Sequence, residues 1–96
     1  MPSPKSTEYV FCYDVSDDHE RRRVEKILLG YGFRRQYSVF VCRLTRSNKE
    51  HLLRQLEALS LKAGFVMVVR IAPATHTQII GTCTRPDPDT DYAFII

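Results

Sequence analysis

The chain has 96 residues, a formal net charge of +3 at neutral pH and 44% hydrophobic side chains. A chain of this length forms one small domain, and this share of hydrophobic residues excludes a disordered chain. No apolar run approaches the ~20 residues that a membrane-spanning helix needs, and the N-terminus lacks the apolar block of a signal peptide, so we expect a cytoplasmic protein without a membrane partner. The three cysteines, Cys12, Cys42 and Cys83, fit no zinc-binding spacing and are expected to be reduced thiols.

The first elements after a flexible N-terminus, residues 1–8, are predicted to be a strand and a helix. Residues 9–15 are aromatic and β-branched, which is typical of a buried strand. Ser16 or Asp17 can cap the helix that follows, and the glycines after it favour its end. One face of this helix carries a regular apolar stripe, formed by Val24, Ile27, Leu28 and Tyr31.

The next part of the chain predicts more strands and a second helix. Residues 33–44 are strand-like and fit either one long bent strand or a tight hairpin, and the sequence does not decide between them. Ser47 and Glu50 form a capping-box pattern that opens a helix. Residues 65–72 predict a further strand, and residues 77–82 another. The apolar face of the second helix is formed by Leu52, Leu53, Leu56 and Leu59.

This order of elements predicts an α+β fold of the ferredoxin-like type, β-α-β-β-α-β, over residues 9–84. Two helices cover only one face of such a sheet, so the other face needs a partner and we expect a homodimer. Residues 85–91 form a polar linker, and residues 92–96 are apolar. We expect residues 92–96 to dock as an additional C-terminal strand, either on the edge of a partner's sheet or on the chain's own sheet.

Positive charge is concentrated in residues 21–46, which hold eight basic side chains and one Glu. A solvated helix face is the ordinary explanation for part of this run. Its density favours a polyanionic partner.

Asp14 is the candidate metal ligand, because its carboxylate ends an apolar strand and basic residues follow within two helical turns. This combination suits phosphodiester chemistry, although an Asp at a strand end also often caps a helix or bonds a loop. Mg²⁺ retains several waters and accepts one or two carboxylates. A dimer axis would bring the partner's Asp14 as the second, and a bound cation would relieve the repulsion between them.

Four stretches of the sequence resemble the CRISPR-associated protein 2 family, in the family's order, across residues 9–72. They are Tyr13-Asp14-Val15-Ser16-Asp17-Asp18, Arg21 to Val24, Tyr31-Gly32-Phe33-Arg34 and Gln36-Tyr37-Ser38-Val39-Phe40. The chain departs from the family's pattern after Phe40, where Val41 and Cys42 replace a frequent Glu or Gly, and it matches only loosely from Pro73 onward.

The resemblance implies a homodimer that acts in the acquisition of CRISPR spacers, in a complex with the CRISPR integrase. It also implies a magnesium-dependent endonuclease that cuts single-stranded RNA, double-stranded DNA or both. The family's metal-binding aspartate corresponds to Asp14, and the aromatic residue beside it to Tyr13. The family's other site positions correspond to Arg21, Arg23, Arg34 or Arg35, Ser38 and Phe40.

Several of these side chains have two open interpretations. Tyr13 is either interface packing or a phosphate contact, and Ser38 either orients a water or phosphate or bonds the backbone. Phe40 is first of all a core residue and secondly a base-stacking one. The candidate phosphate contacts are Arg21, Arg22, Arg23, Arg34, Arg35, Arg43 and Arg46.

Two alternative functions belong to other classes. In one, the protein is a non-catalytic dimeric scaffold whose basic surfaces grip DNA for the integrase. In the other, it is a toxin-like endoribonuclease that acts without an integrase.

Overall fold

A computed structural model describes residues 5–82, which form a four-stranded antiparallel sheet with two helices on one face. Along the chain the elements are β1 (Ser6–Val15), α1 (Asp18–Leu29), β2 (Gly32–Gln36), β3 (Val39–Thr45), α2 (Arg46–Ala58) and β4 (Gly64–Ile71). The strand order in the sheet is β2-β3-β1-β4, and every neighbouring pair is antiparallel. This is the predicted ferredoxin-like arrangement, and the α+β prediction is confirmed.

The region over residues 33–44 is a hairpin rather than one bent strand. Strands β2 and β3 pair through a turn at Tyr37 and Ser38, with an irregularity in register between Arg34 and Gln36. The first strand begins at Ser6, three residues earlier than predicted, because its outer residues pair with the far ends of β3 and β4.

Both helices begin at residues that accept a hydrogen bond from the first turn. The Asp17 side chain accepts from the Glu20 amide at 2.8 Å, as one of the two predicted caps. The second helix is capped by Thr45, which accepts from the Asn48 amide at 3.2 Å. The predicted capping box of Ser47 is therefore wrong, because β3 runs directly into α2 and the helix starts at Arg46.

The core lies between the helices and one face of the sheet. Successive strand residues point to opposite faces, so Tyr9, Phe11, Tyr13 and Val15 of β1 face the helices and are buried. Phe11 and Leu52 are wholly inaccessible to solvent, and burial of side chains this size stabilises the fold by about 1.5–3 kcal/mol each. The main members of this core are Tyr9, Phe11, Tyr13, Val15, Val24, Leu28, Phe40, Leu52 and Leu56.

The opposite face, which we call the open face, has no helix over it and carries exposed apolar side chains. On β4 the side chains of Phe65 and Met67 are 57% and 50% exposed, and Val69 is also exposed. Phe33, Val41 and Val10 form a second, smaller apolar cluster on the same face. The prediction that two helices cover only one face is confirmed.

Residues 77–82 do not form the additional strand that the sequence suggested. Gly81 has a backbone φ of +102°, which lies outside the β region, and Ile80 is 99% exposed. Thr75 and Thr77 instead border a pocket on the open face. The linker, the apolar segment 92–96 and Cys83 lie outside the described residues, and within these residues neither helix is long and apolar enough to cross a membrane.

Candidate active site at the end of strand β1

Asp14 lies at the C-terminal end of β1 and its side chain is exposed on the open face. Its neighbours Tyr13 and Val15 are buried against the helices, so the alternation of the strand directs Asp14 away from the core. The residue opposite it on β4 is Phe65. A carboxylate thus stands at the rim of this face, next to the exposed apolar residues of β4.

Arg21 is a cation that the structure fixes at this strand end. Its Nη1 donates to the Val15 carbonyl at 3.2 Å, and its Nη2 pairs with Asp18. The hydrogen bond with Asp18 is the main reason that the pKa of Arg21 is raised. Its guanidinium is bound to the carbonyl of the residue that follows Asp14 in the strand.

Ser38 belongs to the same end of the molecule. Its carbonyl accepts from the Tyr13 amide at 3.1 Å, which fixes the β2–β3 turn against β1 beside Asp14. Asp14, Arg21 and Ser38 therefore lie at the same end of the sheet, at the C-terminal end of β1.

Tyr13 has its side chain on the other face of the strand. Its hydroxyl lies 2.9 Å from Glu25 Oε2 and 3.0 Å from the Tyr37 carbonyl oxygen, and these two acceptors share its single proton. Burial, and then the hydrogen bond to Glu25, raise the pKa of Tyr13 to about 12. The structure does not bring this phenol together with the Asp14 carboxylate, and its contacts are with α1 and the turn.

Phe40 is fully buried, and its ring centroid lies 6.2 Å from that of Tyr13. The interpretation of Phe40 as a core residue is confirmed. The base-stacking role is corrected, because a ring without accessible surface offers no face to a base.

The predicted phosphate-binding arginines do not form one patch. Arg34 is held on the helix side, where its Nη2 lies 3.1 Å from Glu25 Oε1. Arg35 and Arg43 lie on the open face near Glu8, at the end of β1 remote from Asp14. Three more are exposed on the helices, namely Arg22, Arg23 and Arg46.

The comparisons with known proteins agree on one family. The family model for CRISPR associated protein Cas2 matches residues 7–79. The chain belongs to this family. A CRISPR-associated endoribonuclease Cas2 of Thermus thermophilus is 50% identical over 64 residues, which make up 67% of this chain and 68% of that protein. The predicted family is thus confirmed.

Solved structures support the fold of this Cas2-family chain. The crystal structure of a hypothetical protein from Thermus thermophilus has a TM-score of 0.75 and 28% identity, and it covers 85% of this chain and 99% of that one. A crystal structure of Cas2 has a TM-score of 0.74 at 24% identity, over 86% of this chain and 95% of that one, which speaks for the fold alone.

Sequence reasoning missed two residues of this Cas2-family site, Glu25 and Tyr37. Glu25 accepts from the Tyr13 hydroxyl and pairs with Arg34, and Tyr37 bears a 68% exposed ring on the turn. The sequence did carry a signal for Glu25, since it is the only acidic residue in the basic stretch 21–46. A lone carboxylate among cations is a natural ion-pair partner.

The metal-binding capacity of a single subunit at this site is small. Within residues 5–82, no group of three or more His, Cys, Asp or Glu side chains could hold an ion. At the end of β1, Asp14 is the exposed carboxylate on the open face. Its hard oxygen atoms suit a hydrated Mg²⁺, which is typically bound through one or two carboxylates.

Proposed function

We propose that this protein is a magnesium-dependent endonuclease of CRISPR adaptation that acts as a homodimer. Its substrates are the phosphodiester bonds of single-stranded RNA, double-stranded DNA or both, and it works in the spacer-integration complex with the CRISPR integrase. The observation that carries the proposal is an exposed carboxylate, Asp14, on the uncovered face at the end of β1, where the guanidinium of Arg21 is fixed on the carbonyl of the next residue, Val15. The name of the Thermus relative, an endoribonuclease, supports the same activity.

The open face supports the dimer. Its exposed apolar side chains on β4, such as Phe65 and Met67, would leave water if a second copy packed against them, and burial of apolar surface favours association. A twofold interface uses the same patch on both subunits. Because Asp14 projects from this face, a twofold axis that passes near the end of β1 would bring the two carboxylates into one cleft.

The metal would be held by Asp14 and the partner's Asp14. Two like charges in one cleft repel each other, and a divalent cation removes that repulsion. When it is bound, Mg²⁺ supplies positive charge that stabilises the developing charge on the phosphate and makes water a better nucleophile.

The chain's own residues would position the substrate. Arg21 has one nitrogen on the Val15 carbonyl, which holds the planar guanidinium in place and leaves further N–H groups for phosphate oxygens. Ser38 is fixed beside it by the backbone bond to Tyr13. In this proposal its hydroxyl donates to a phosphate oxygen.

The decisive experiment replaces Asp14 by Asn, which removes the charge and keeps the shape. We expect the loss of magnesium-dependent cleavage of single-stranded RNA and duplex DNA, while nucleic-acid binding persists. Glu57→Gln, which makes the same charge change on an exposed part of α2, is the matched control and should cleave normally. Cleavage by Asp14→Asn at the wild-type rate, or by the wild-type protein in EDTA, would refute the proposed magnesium-dependent nuclease activity.

The non-catalytic scaffold is the second candidate, and the spread of the arginines favours it. Arg22, Arg23 and Arg46 are exposed on the helices, away from the open face, where they suit a grip on a DNA backbone. Spacer integration that survives Asp14→Asn would identify gripping as the biological role. A failure to bind a co-expressed integrase would instead favour the toxin-like endoribonuclease.

A further inference from the structure

Tyr37 is the most exposed aromatic residue in the described part of the chain. Its side chain is 68% exposed, although it belongs to a tight turn in which a small polar residue would be ordinary. An aromatic ring kept in water presents an apolar face that a ligand can cover. The surroundings of Tyr37 decide whether this face has a use.

The turn that carries Tyr37 is held at several points. The carbonyl oxygen of Tyr37 accepts from the Tyr13 hydroxyl at 3.0 Å. The guanidinium of Arg34 lies 5.9 Å from the Tyr37 ring centroid and is paired with Glu25 at 3.1 Å. Glu25 also accepts from the Tyr13 hydroxyl, so it connects both supports. The ring therefore stands on a turn that is already fixed, so less conformational entropy is lost when a ligand binds to it.

The position of Tyr37 relates it to the proposed cleavage site. The backbone bond between the Tyr13 amide and Ser38 places the turn next to the end of β1. Arg21 binds the Val15 carbonyl at the same end of the strand, at 3.2 Å. The exposed ring of Tyr37 and the guanidinium of Arg21 are thus both tied to the C-terminal end of β1, the end that carries Asp14.

We propose that the Tyr37 ring is the surface on which an unpaired nucleobase stacks, while Arg21 binds the adjoining phosphate. A base in the interior of a duplex has both faces covered by its neighbours, so this surface selects single-stranded RNA or DNA. The inference deepens the proposed function, on which it rests for the meaning of Asp14. Glu25 is then a positioning residue, because it acts through Tyr13 and Arg34.

Binding can be tested apart from cleavage. Asp14→Asn protein in EDTA is titrated with a single-stranded oligonucleotide, as RNA in one arm and as DNA in the other, and with a blunt duplex of the same sequence. Tyr37→Ala keeps the anchored carbonyl and removes the ring, whereas Tyr37→Phe keeps the ring. We expect Tyr37→Ala to weaken single-strand binding about 5- to 30-fold and Tyr37→Phe to retain it.

A direct signal is available because the chain contains no tryptophan. In Tyr37→Trp the new indole is the only one, and stacking of a base on it should quench its emission with the single strand and not with the duplex. Leu29→Trp is the control, since Leu29 is also exposed but ends α1, about 18 Å along the helix from its start. Its emission should stay unchanged.

The role of Glu25 has its own readout. Glu25→Gln removes the charge that holds Arg34 and should alter single-strand affinity when Tyr37 is present, but much less in the Tyr37→Ala background. Equal effects in both backgrounds would mean that Glu25 does not act through the ring.

The stacking proposal is overturned if Tyr37→Ala binds the single strand as the wild type does, or if the duplex quenches Tyr37→Trp equally well. These outcomes leave the nuclease proposal standing. Conversely, absence of magnesium-dependent cleavage in the wild type would refute the nuclease and leave the stacking measurement intact.

Discussion

The carbonyl oxygen of Asp14 occupies the space that a side chain on Gly64 would need. A Cβ built on Gly64 would lie 2.3 Å from this oxygen, and the backbone φ of Gly64 is +132°. Gly64 begins β4 and pairs with Val15, so the close approach holds β4 against the end of β1. The backbone that carries Asp14 therefore depends on a glycine 50 residues later in the chain.

Gly64→Ala is expected to lower the free energy of unfolding by at least about 2 kcal/mol, because both the positive φ and the clash oppose a side chain. Urea denaturation measures this loss. Gly81→Ala is the matched control, since Gly81 also has a positive φ, +102°, but nothing lies within 4 Å of its Cβ position. Equal losses in the two variants would show that packing against Asp14 contributes nothing.

Tyr13→Phe should be destabilising in a pH-dependent way. The folded protein holds the phenol proton more tightly than the unfolded chain does, since the pKa of Tyr13 is raised to about 12. Its stabilising effect is therefore complete below about pH 10 and is lost as the pH rises towards about 12. Near pH 8 we expect Tyr13→Phe to cost about 1–2 kcal/mol, through the lost bonds to Glu25 and Tyr37.

Urea denaturation of the wild type and Tyr13→Phe at about pH 8 and about pH 11 checks this, and the difference between them should shrink at the higher pH. Burial also raises the pKa of the Cys42 thiol to about 12, but Cys42 is present in both proteins and its effect cancels. A difference that stays constant with pH would contradict the buried hydrogen bond.

The sequence predicted the layers of the fold because they follow from periodicity. Alternation along β1 separates Tyr13 from Asp14, and helical spacing groups the leucines of α2, so the covered and open faces could be inferred. The hairpin could not be inferred from the sequence, because residues 33–44 have no strong turn signal. The Tyr37–Ser38 turn is stabilised by Tyr13 instead.

The candidate site was predictable only in part, because several of its contacts join residues that are distant in the sequence. Asp14 and Arg21 lie seven residues apart, and a strand end followed directly by a helix start predicts that they lie at the same end of the sheet. The network around Glu25 joins residues 12 positions apart, Tyr13 and Glu25, and 24 positions apart, Tyr13 and Tyr37. No local pattern encodes such contacts, since they depend on how α1 and the hairpin pack across the sheet.

Arg22 and Arg34 carry the same charge in different surroundings, and they should respond differently to mutation. Arg22 is exposed on α1, whereas Arg34 is paired with Glu25 at 3.1 Å and lies 5.4 Å from the Phe40 ring centroid. We expect Arg22→Ala to reduce the slope of log affinity against log salt for duplex DNA by about 1. Arg34→Ala should change this slope little and lower the unfolding free energy by about 1 kcal/mol.

Titrations across potassium chloride concentrations measure the slope, and an unchanged slope in Arg22→Ala would exclude Arg22 as a phosphate contact.

The open face gives the test of the proposed homodimer. Met67 is half exposed and lies opposite Cys12 in the sheet, so an Asp at position 67 would bring an unpaired charge into an interface built on this face. We expect Met67→Asp to raise the dimer dissociation constant at least ~100-fold, because burial of an unpaired charge costs several kcal/mol.

Multi-angle light scattering of wild type and variant at matched concentrations reports the mass of each protein in solution. Leu29→Asp introduces the same charge at an exposed leucine on α1 and should leave the mass of the dimer unchanged. A Met67→Asp protein that remains dimeric would place the interface elsewhere, and Asp14 would then have no second carboxylate across the axis.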